Sequence, residues 1–211
     1  MKSILISIKP EYVKDILNGI KILEIRKTRP NIELPCKVYI YCTNGYVLYD
    51  LRNEDYLELK NNFILDVTHK SNKYLSGTPP MLNRKVVAEF TLNEIDILEF
   101  RHLGVSHINC YIPVNENADY EWEKHSCINY KDIVDYGKSA PIYALHIEDL
   151  KIYDEPKELS EFRKENRCHL ANYEYGCCFE CCTFYDLKDC DGRCSKLKRP
   201  PQSWCYVEGD N

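Results

Sequence analysis

A chain of 211 residues with 44% hydrophobic and 12% aromatic content can bury a core. That excludes a disordered or collagen-like polymer and, at about 100 to 150 residues per domain, a large multidomain enzyme. The formal net charge of −5 argues against a protein that coats nucleic acid indiscriminately.

No apolar run before Lys9-Pro10-Glu11 is long enough for a signal-peptide core, and no stretch reaches the roughly 18 to 20 apolar residues of a membrane helix. The expected setting is the cytoplasm, with no membrane partner. The charge is uneven. Residues 1–30 carry seven basic side chains (Lys2, Lys9, Lys14, Lys21, Arg26, Lys27, Arg29) against three acidic ones (Glu11, Asp15, Glu24), and Arg193, Lys196, Lys198 and Arg199 form a second cluster. The two patches make one binding face if the fold joins them, and solvated edges if it does not.

In chain order, Ser3–Ile8 is short, apolar and β-branched and predicts a strand. Pro10 suits a first helical position, Val13, Ile16 and Leu17 form a stripe at helical spacing, and Gly19 sits where a left-handed terminator is wanted. Residues Lys21–Lys27 predict a strand with Ile22, Glu24 and Arg26 on one face and Lys21, Leu23, Ile25 and Lys27 on the other. Cys36–Thr43 predicts another strand, and Asn53–Asn62 a helix, followed by a loop around Thr78-Pro79-Pro80.

Arg84–Ile97 reads as the longest strand. Tyr130–Tyr136 reads as a short helix stopped by Gly137, Ala140–Tyr153 as one strand, and the stretch around Leu159 and Phe162, after Asp154-Glu155-Pro156, as a helix. Irregularly spaced strands with inserted helices, and no strand-helix-strand repeat, predict an α+β protein on a small, mostly antiparallel barrel. No glycine-rich phosphate loop is present.

The stretch Gly19-Ile20-Lys21-Ile22-Leu23-Glu24-Ile25-Arg26 matches G-x-K-x-x-E-x-R, and Ser7-Ile8-Lys9-Pro10 with the short helix precedes it. In these residues the chain resembles the ASCH domain of the PUA-like superfamily. The ending Arg199-Pro200-Pro201-Gln202-Ser203-Trp204-Cys205-Tyr206-Val207 looks like that of small ASCH proteins from phages and bacteria, some with cysteine pairs just before it. The resemblance covers most of the chain, with residues 50–82 and 98–136 as insertions. It implies a PUA-like barrel over residues 1–160, a Cys-rich extension over 161–211 packing back on it, and a cleft that receives RNA or a nucleotide-like ligand.

The ligand-binding candidates are Lys9, Gly19, Lys21, Glu24, Arg26, Lys27, Gln202 and Trp204. Each has a plainer reading: Gly19 as a helix terminator, Glu24 and Arg26 as an internal ion pair, Trp204 as a docked anchor. The family also contains enzymes, a ribonuclease activity and an amidohydrolase of acylated cytidine among them. In the amidohydrolase branch a Thr three residues after the motif Lys is the nucleophile, but here that position is Glu24, and a carboxylate does not replace a hydroxyl. A hydrolase or ribonuclease would therefore have to use Lys21 with Glu24 in acid-base roles.

Twelve cysteines remain to be explained. Cys36, Cys42, Cys110 and Cys127 are scattered, and the other eight lie between Cys168 and Cys205. In a reducing cytoplasm clustered thiols bind metal or stay free more often than they pair as disulfides. Cys178 and Cys181 form a C-x-x-C pair, and Cys190 and Cys194 a C-x-x-x-C pair turning at Gly192, with Cys168 as an alternative ligand. Four thiolates around one structural zinc is the first reading, disulfides the second, and adjacent cysteines leave the register open. The segment has few aliphatic side chains, so metal binding would supply its ordering free energy. A knuckle of this kind could also contact a protein partner.

Overall fold

A computed structural model describes residues 2–52, 64–66, 80–103, 108–115, 121–164 and 196–209. Among the described residues, eleven strands and three α-helices run in the order β1 (Lys2–Ile8), α1 (Pro10–Leu17), β2 (Leu23–Arg26), β3 (Cys36–Cys42), β4 (Leu48–Asp50), β5 (Ile64–Asp66), β6 (Lys85–Leu92), β7 (Ile95–Leu103), β8 (Ile108–Pro113), α2 (Trp122–Ser126), α3 (Tyr130–Gly137), β9 (Ile142–His146), β10 (Glu148–Glu158) and β11 (Trp204–Glu208). The fold is thus mostly β with few helices.

Five strands form one sheet in the order β10-β6-β3-β1-β11, four form a second in the order β2-β9-β7-β8, and β4 pairs with β5. Among the described residues all strand pairings are antiparallel except β1 with β3. The mostly antiparallel expectation holds. Closure into a barrel is not seen among the described residues, where each sheet keeps two edges.

Alternation along β1 explains why the first sheet is buried on both sides. Ile4, Ile6 and Ile8 join Val38, Ile40, Phe90 and the helical stripe Val13, Ile16, Leu17 in one core. Leu5 points the other way, into a second core with Tyr39, Tyr153, Phe162, Leu197 and Val207. Central strands covered on both faces are continuously apolar rather than alternating. In the second sheet Leu23, Ile25, Leu98, Ile142 and Ala144 pack with Trp122 and Ile133 of the two small helices.

Several predicted elements come out differently. Arg84–Ile97 is two strands, because Asn93-Glu94 breaks the ladder and sends β7 into the other sheet. Ala140–Tyr153 is likewise split at Ile147, with β9 pairing to β2 and β7 while β10 pairs to β6. Leu159–Glu161 is one 3-10 turn held by a Glu158/Glu161 capping box, not a longer helix. Gly137 does not stop α3. Lys138 and Ser139 take the left-handed turn, at φ 50° and 65°. The glycine is needed because a Cβ there would collide with Tyr111 Oη.

The C-terminal strand β11, absent from the predicted elements, lies antiparallel to β1 and completes the first sheet. The predicted helix over 53–62 lies outside the described residues, as do Cys168, Cys178, Cys181, Cys190, Cys194 and Arg193.

Candidate functional site

Three features of local sequence deliver the site. Pro10 starts α1, with Lys9 as the extended residue before it. Gly19 ends it at φ +71°, a left-handed turn that an L side chain strains to adopt. The reversal is closed by Gly19 N donating to Ile16 O at 2.9 Å, Ile20 N to Asp15 O at 2.9 Å and Lys21 N to Asp15 O at 3.1 Å. Gly19 therefore acts as the terminator and aims the motif strand.

Lys21 lies in this turn, ahead of β2, so strand alternation does not govern it. The expectation that it faces with Leu23 and Ile25 fails for that reason. Its side chain is fully buried, and Nζ donates to Ser126 O at 2.5 Å while standing 3.3 Å from Glu24 Oε2. His125 O accepts Ile22 N at 2.9 Å, so carbonyls ending α2 receive both the strand and its cation, a favourable placement for positive charge.

Glu24 and Arg26 do share one face of β2. Arg26 Nη2 is 2.9 Å from Glu24 Oε1 and donates to Ser7 O at 2.8 Å, and Nη1 donates to Ser203 Oγ at 3.3 Å. The result is a buried row of cation, carboxylate and cation. Glu24 Oε2 and Arg26 Nε nevertheless make no hydrogen bond; the 3.3 Å approach of Lys21 to Oε2 is a charge contact without hydrogen-bond alignment.

This row lies beside a pocket of about 410 Å³ lined by Ser7, Ile8, Lys9, Tyr12, Lys21, Glu24, Ile25, Arg26, Ile128, Asp132 and Tyr136. The volume falls within the range of small-molecule sites. Tyr12 comes from α1, and its ring lies 5.2 Å from Lys21 Nζ. Burial first, then the carboxylates of Glu11, Glu24 and Asp132, push its phenol above the ordinary value. Burial likewise raises Tyr136, with Arg26 opposing and Glu24 assisting. Both rings therefore stay protonated, neutral donors at physiological pH.

The predicted residues divide. Lys9, Lys21, Glu24 and Arg26 meet at the pocket. Lys9 is exposed, with Nζ 3.8 Å from Glu11. Lys27 is exposed next to the pocket, its Nζ 4.5 Å over the Tyr136 ring. Gln202 is exposed and outside the lining. Trp204 packs on the first core, its Nε1 donates to Thr28 Oγ1 at 3.0 Å, and its ring meets Tyr206 edge-on at 5.2 Å, so it anchors the chain end.

Sequence reasoning missed Ser7, Tyr12, Ile128, Asp132 and Tyr136 as lining residues. Tyr12 shares α1 with a recognisable stripe and was within reach, but Ile128, Asp132 and Tyr136 come from the insertion at 98–136, whose return to β2 no local pattern signals. Among the described residues no group of three or more His, Cys, Asp or Glu side chains could hold a metal. Cys36, Cys42, Cys110, Cys127 and Cys205 are free thiols.

The fold and pocket together define a mostly β domain with a charged, aromatic-walled site at the junction of its sheets. Among solved structures, the chain is similar to the ASCH protein from Zymomonas mobilis at 15% identity and a TM-score of 0.44, covering 74% of this chain and 73% of that one. A Ser-to-Ala mutant of that protein aligns at 14% identity and a TM-score of 0.49, covering 98% and 88%. A Tyr-to-Phe mutant aligns at 16% and 0.44, covering 75% and 77%. No family model matches the sequence, and no curated protein does. No helix among the described residues is long and apolar enough to cross a membrane.

Proposed function

We propose that this pocket binds one nucleotide unit of an RNA or a nucleotide-like ligand. The observation that carries the reading is the buried Lys21, Glu24 and Arg26 row, with polar capacity left over at Glu24 Oε2 and Arg26 Nε, at the side of a nucleoside-sized pocket bearing two tyrosines. Buried charged groups are costly unless fully paired, and a ligand that supplies the missing hydrogen bonds recovers that cost. Tyrosine faces suit unpaired bases, which single-stranded recognition commonly stacks on aromatic rings.

The geometry favours binding over chemistry at Lys21. Its amine is enclosed and already engaged by Ser126 O and Glu24, so it positions the carboxylate rather than attacking or deprotonating a substrate. The ribonuclease or hydrolase alternative requires Lys21 to be released from both. Binding of nucleoside monophosphates and of short single-stranded RNA at low salt, measured by calorimetry, tests the reading. Wild type should bind and Tyr136→Ser should lose about tenfold or more, the equivalent of one stacking contact. Absence of binding by the wild type overturns it, and turnover lost in Lys21→Ala replaces it with the enzyme.

A structural zinc held by four of Cys168, Cys178, Cys181, Cys190 and Cys194 belongs to the same proposal, on the strength of the C-x-x-C and C-x-x-x-C spacing. Protein purified under reducing conditions should carry about one zinc per chain, and metal-free, folded protein would discard the site.

A further inference from the structure

Arg26 is a pocket cation whose orientation depends on a remote part of the chain. Among the described residues its hydrogen bonds run from Nη2 to Ser7 O at 2.8 Å and from Nη1 to Ser203 Oγ at 3.3 Å. The 2.9 Å approach of Nη2 to Glu24 Oε1 adds a charge contact. Ser203 lies 177 residues away in sequence and outside the pocket lining, so it serves the site through Arg26 rather than by touching a ligand.

The backbone of Ser203 is held independently of its hydroxyl. Its carbonyl accepts Ser7 N at 2.9 Å, and two residues earlier Pro201 O accepts Ser7 Oγ at 2.7 Å. The next residue, Trp204, pairs with Ile6 in the sheet, packs on the first core and donates from Nε1 to Thr28 Oγ1 at 3.0 Å. Thr28 stands two residues beyond Arg26, so the strand carrying the arginine and the segment carrying the serine are tied together beside their hydrogen bond. Ser7, a lining residue, joins both: its carbonyl receives Arg26, and its amide and hydroxyl bind the chain end. With the chain end already attached, the Ser203 hydroxyl adds a fixed acceptor for Nη1.

An arginine side chain loses much rotamer freedom when it is fixed. Bonds made within the folded protein meet that cost before a ligand arrives, which is how preorganisation raises affinity. We propose that Ser203 is a positioning residue, whose hydroxyl holds the Arg26 guanidinium in the orientation that faces a nucleotide unit in the pocket. The proposal rests on the pocket reading for its ligand and adds a determinant of affinity in the segment leading into β11. Ser203 is half-buried and its bond is long, so removing it disturbs stability little and is read in binding.

The test compares the full chain with Ser203→Ala and Ser203→Thr. Nucleoside monophosphates are the ligand, and Arg26 side-chain NMR signals of the ligand-free protein are a separate readout. Calorimetric affinity should fall about three- to tenfold in Ser203→Ala, the loss of one modest hydrogen bond, and return to the wild-type value in Ser203→Thr, which keeps the hydroxyl. The Arg26 Nη1 protons should exchange positions faster in Ser203→Ala, where rotation about Cζ–Nη1 is released, and slowly again in Ser203→Thr. The urea midpoint should match wild type in both variants. Wild-type affinity in Ser203→Ala, or unchanged Nη1 exchange, overturns the positioning role and leaves the pocket. A loss of affinity that accompanies a lowered midpoint and is not rescued by Ser203→Thr also overturns it, in favour of a structural serine. Absence of monophosphate binding by the wild type overturns the pocket reading and with it the role in binding, while the Nη1 exchange still reports whether Ser203 holds the guanidinium.

Discussion

Arg26 Nη2 lies 2.9 Å from Glu24 Oε1, two residues along one face of β2, with both side chains about nine-tenths buried. The carboxylate also faces Lys21 at 3.3 Å, so one negative charge lies between two buried positive ones. Removing it leaves two desolvated cations facing each other. Glu24→Gln should lower the unfolding free energy by about 3 to 5 kcal/mol, the usual cost of breaking a buried ion pair from one side. Denaturant melts of variant and wild type measure this, and a loss below about 1 kcal/mol would show that the row is not electrostatically coupled.

The second prediction concerns the far wall of the pocket. A Cβ on Gly137 would collide with Tyr111 Oη, which donates to Ala140 O at 2.9 Å. Gly137→Ala should cost about 1 to 3 kcal/mol, as overpacking does. It should also displace α3, which supplies Asp132 and Tyr136 to the pocket, and so weaken ligand binding. A thermal melt and a binding titration unchanged from wild type would show that α3 tolerates the methyl group.

Alkaline pH supplies a third. Burial pushes the Cys36 thiol up to about 11, and burial, then the Glu11 carboxylate, push Cys42 up to about 12, against an ordinary 9.0. The fold holds both as neutral thiols, so their contribution is complete below the unfolded value near 9 and is lost as pH climbs toward 11 and 12. The unfolding free energy should fall with pH above 9, and less steeply in Cys42→Ala. Identical slopes for the two proteins would contradict this.

A fourth prediction tests whether β11 is integral to the sheet. Val207 is fully buried in the second core, opposite Ser3 of β1. Val207→Ala should cost about 1 to 3 kcal/mol in denaturant melts, the loss of two buried methyl groups plus a partial cavity. A change within about 0.5 kcal/mol, as exposed positions give, would mean that the chain end is only loosely attached.

Local chemistry made α1 and the motif strand legible. Pro10, the Val13, Ile16 and Leu17 stripe and Gly19 each act within a few residues, and the structure uses all of them. The break at Ile147 was not legible, because the residue at it is itself apolar, and the polar pair Asn93-Glu94 was passed over because Leu92 and Ile95 resume the apolar pattern on either side; the competition between two sheets ends each strand. Glu24 and Arg26 could be placed on one face by counting, whereas Lys21 could not, since the turn after Gly19 breaks the count. Ser203, Asp132 and Tyr136 reach the site through contacts more than 100 residues away in sequence, which no short pattern encodes.

The central claim is that a nucleotide unit enters the pocket between α1, β2 and α3. The most direct measurement is a titration of isotope-labelled full-length protein with nucleoside monophosphates, followed by amide and side-chain NMR shifts. The account predicts saturable shifts at Ser7, Lys9, Tyr12, Arg26, Asp132 and Tyr136. Saturable binding that leaves these residues unmoved, or no binding at low salt, would contradict it.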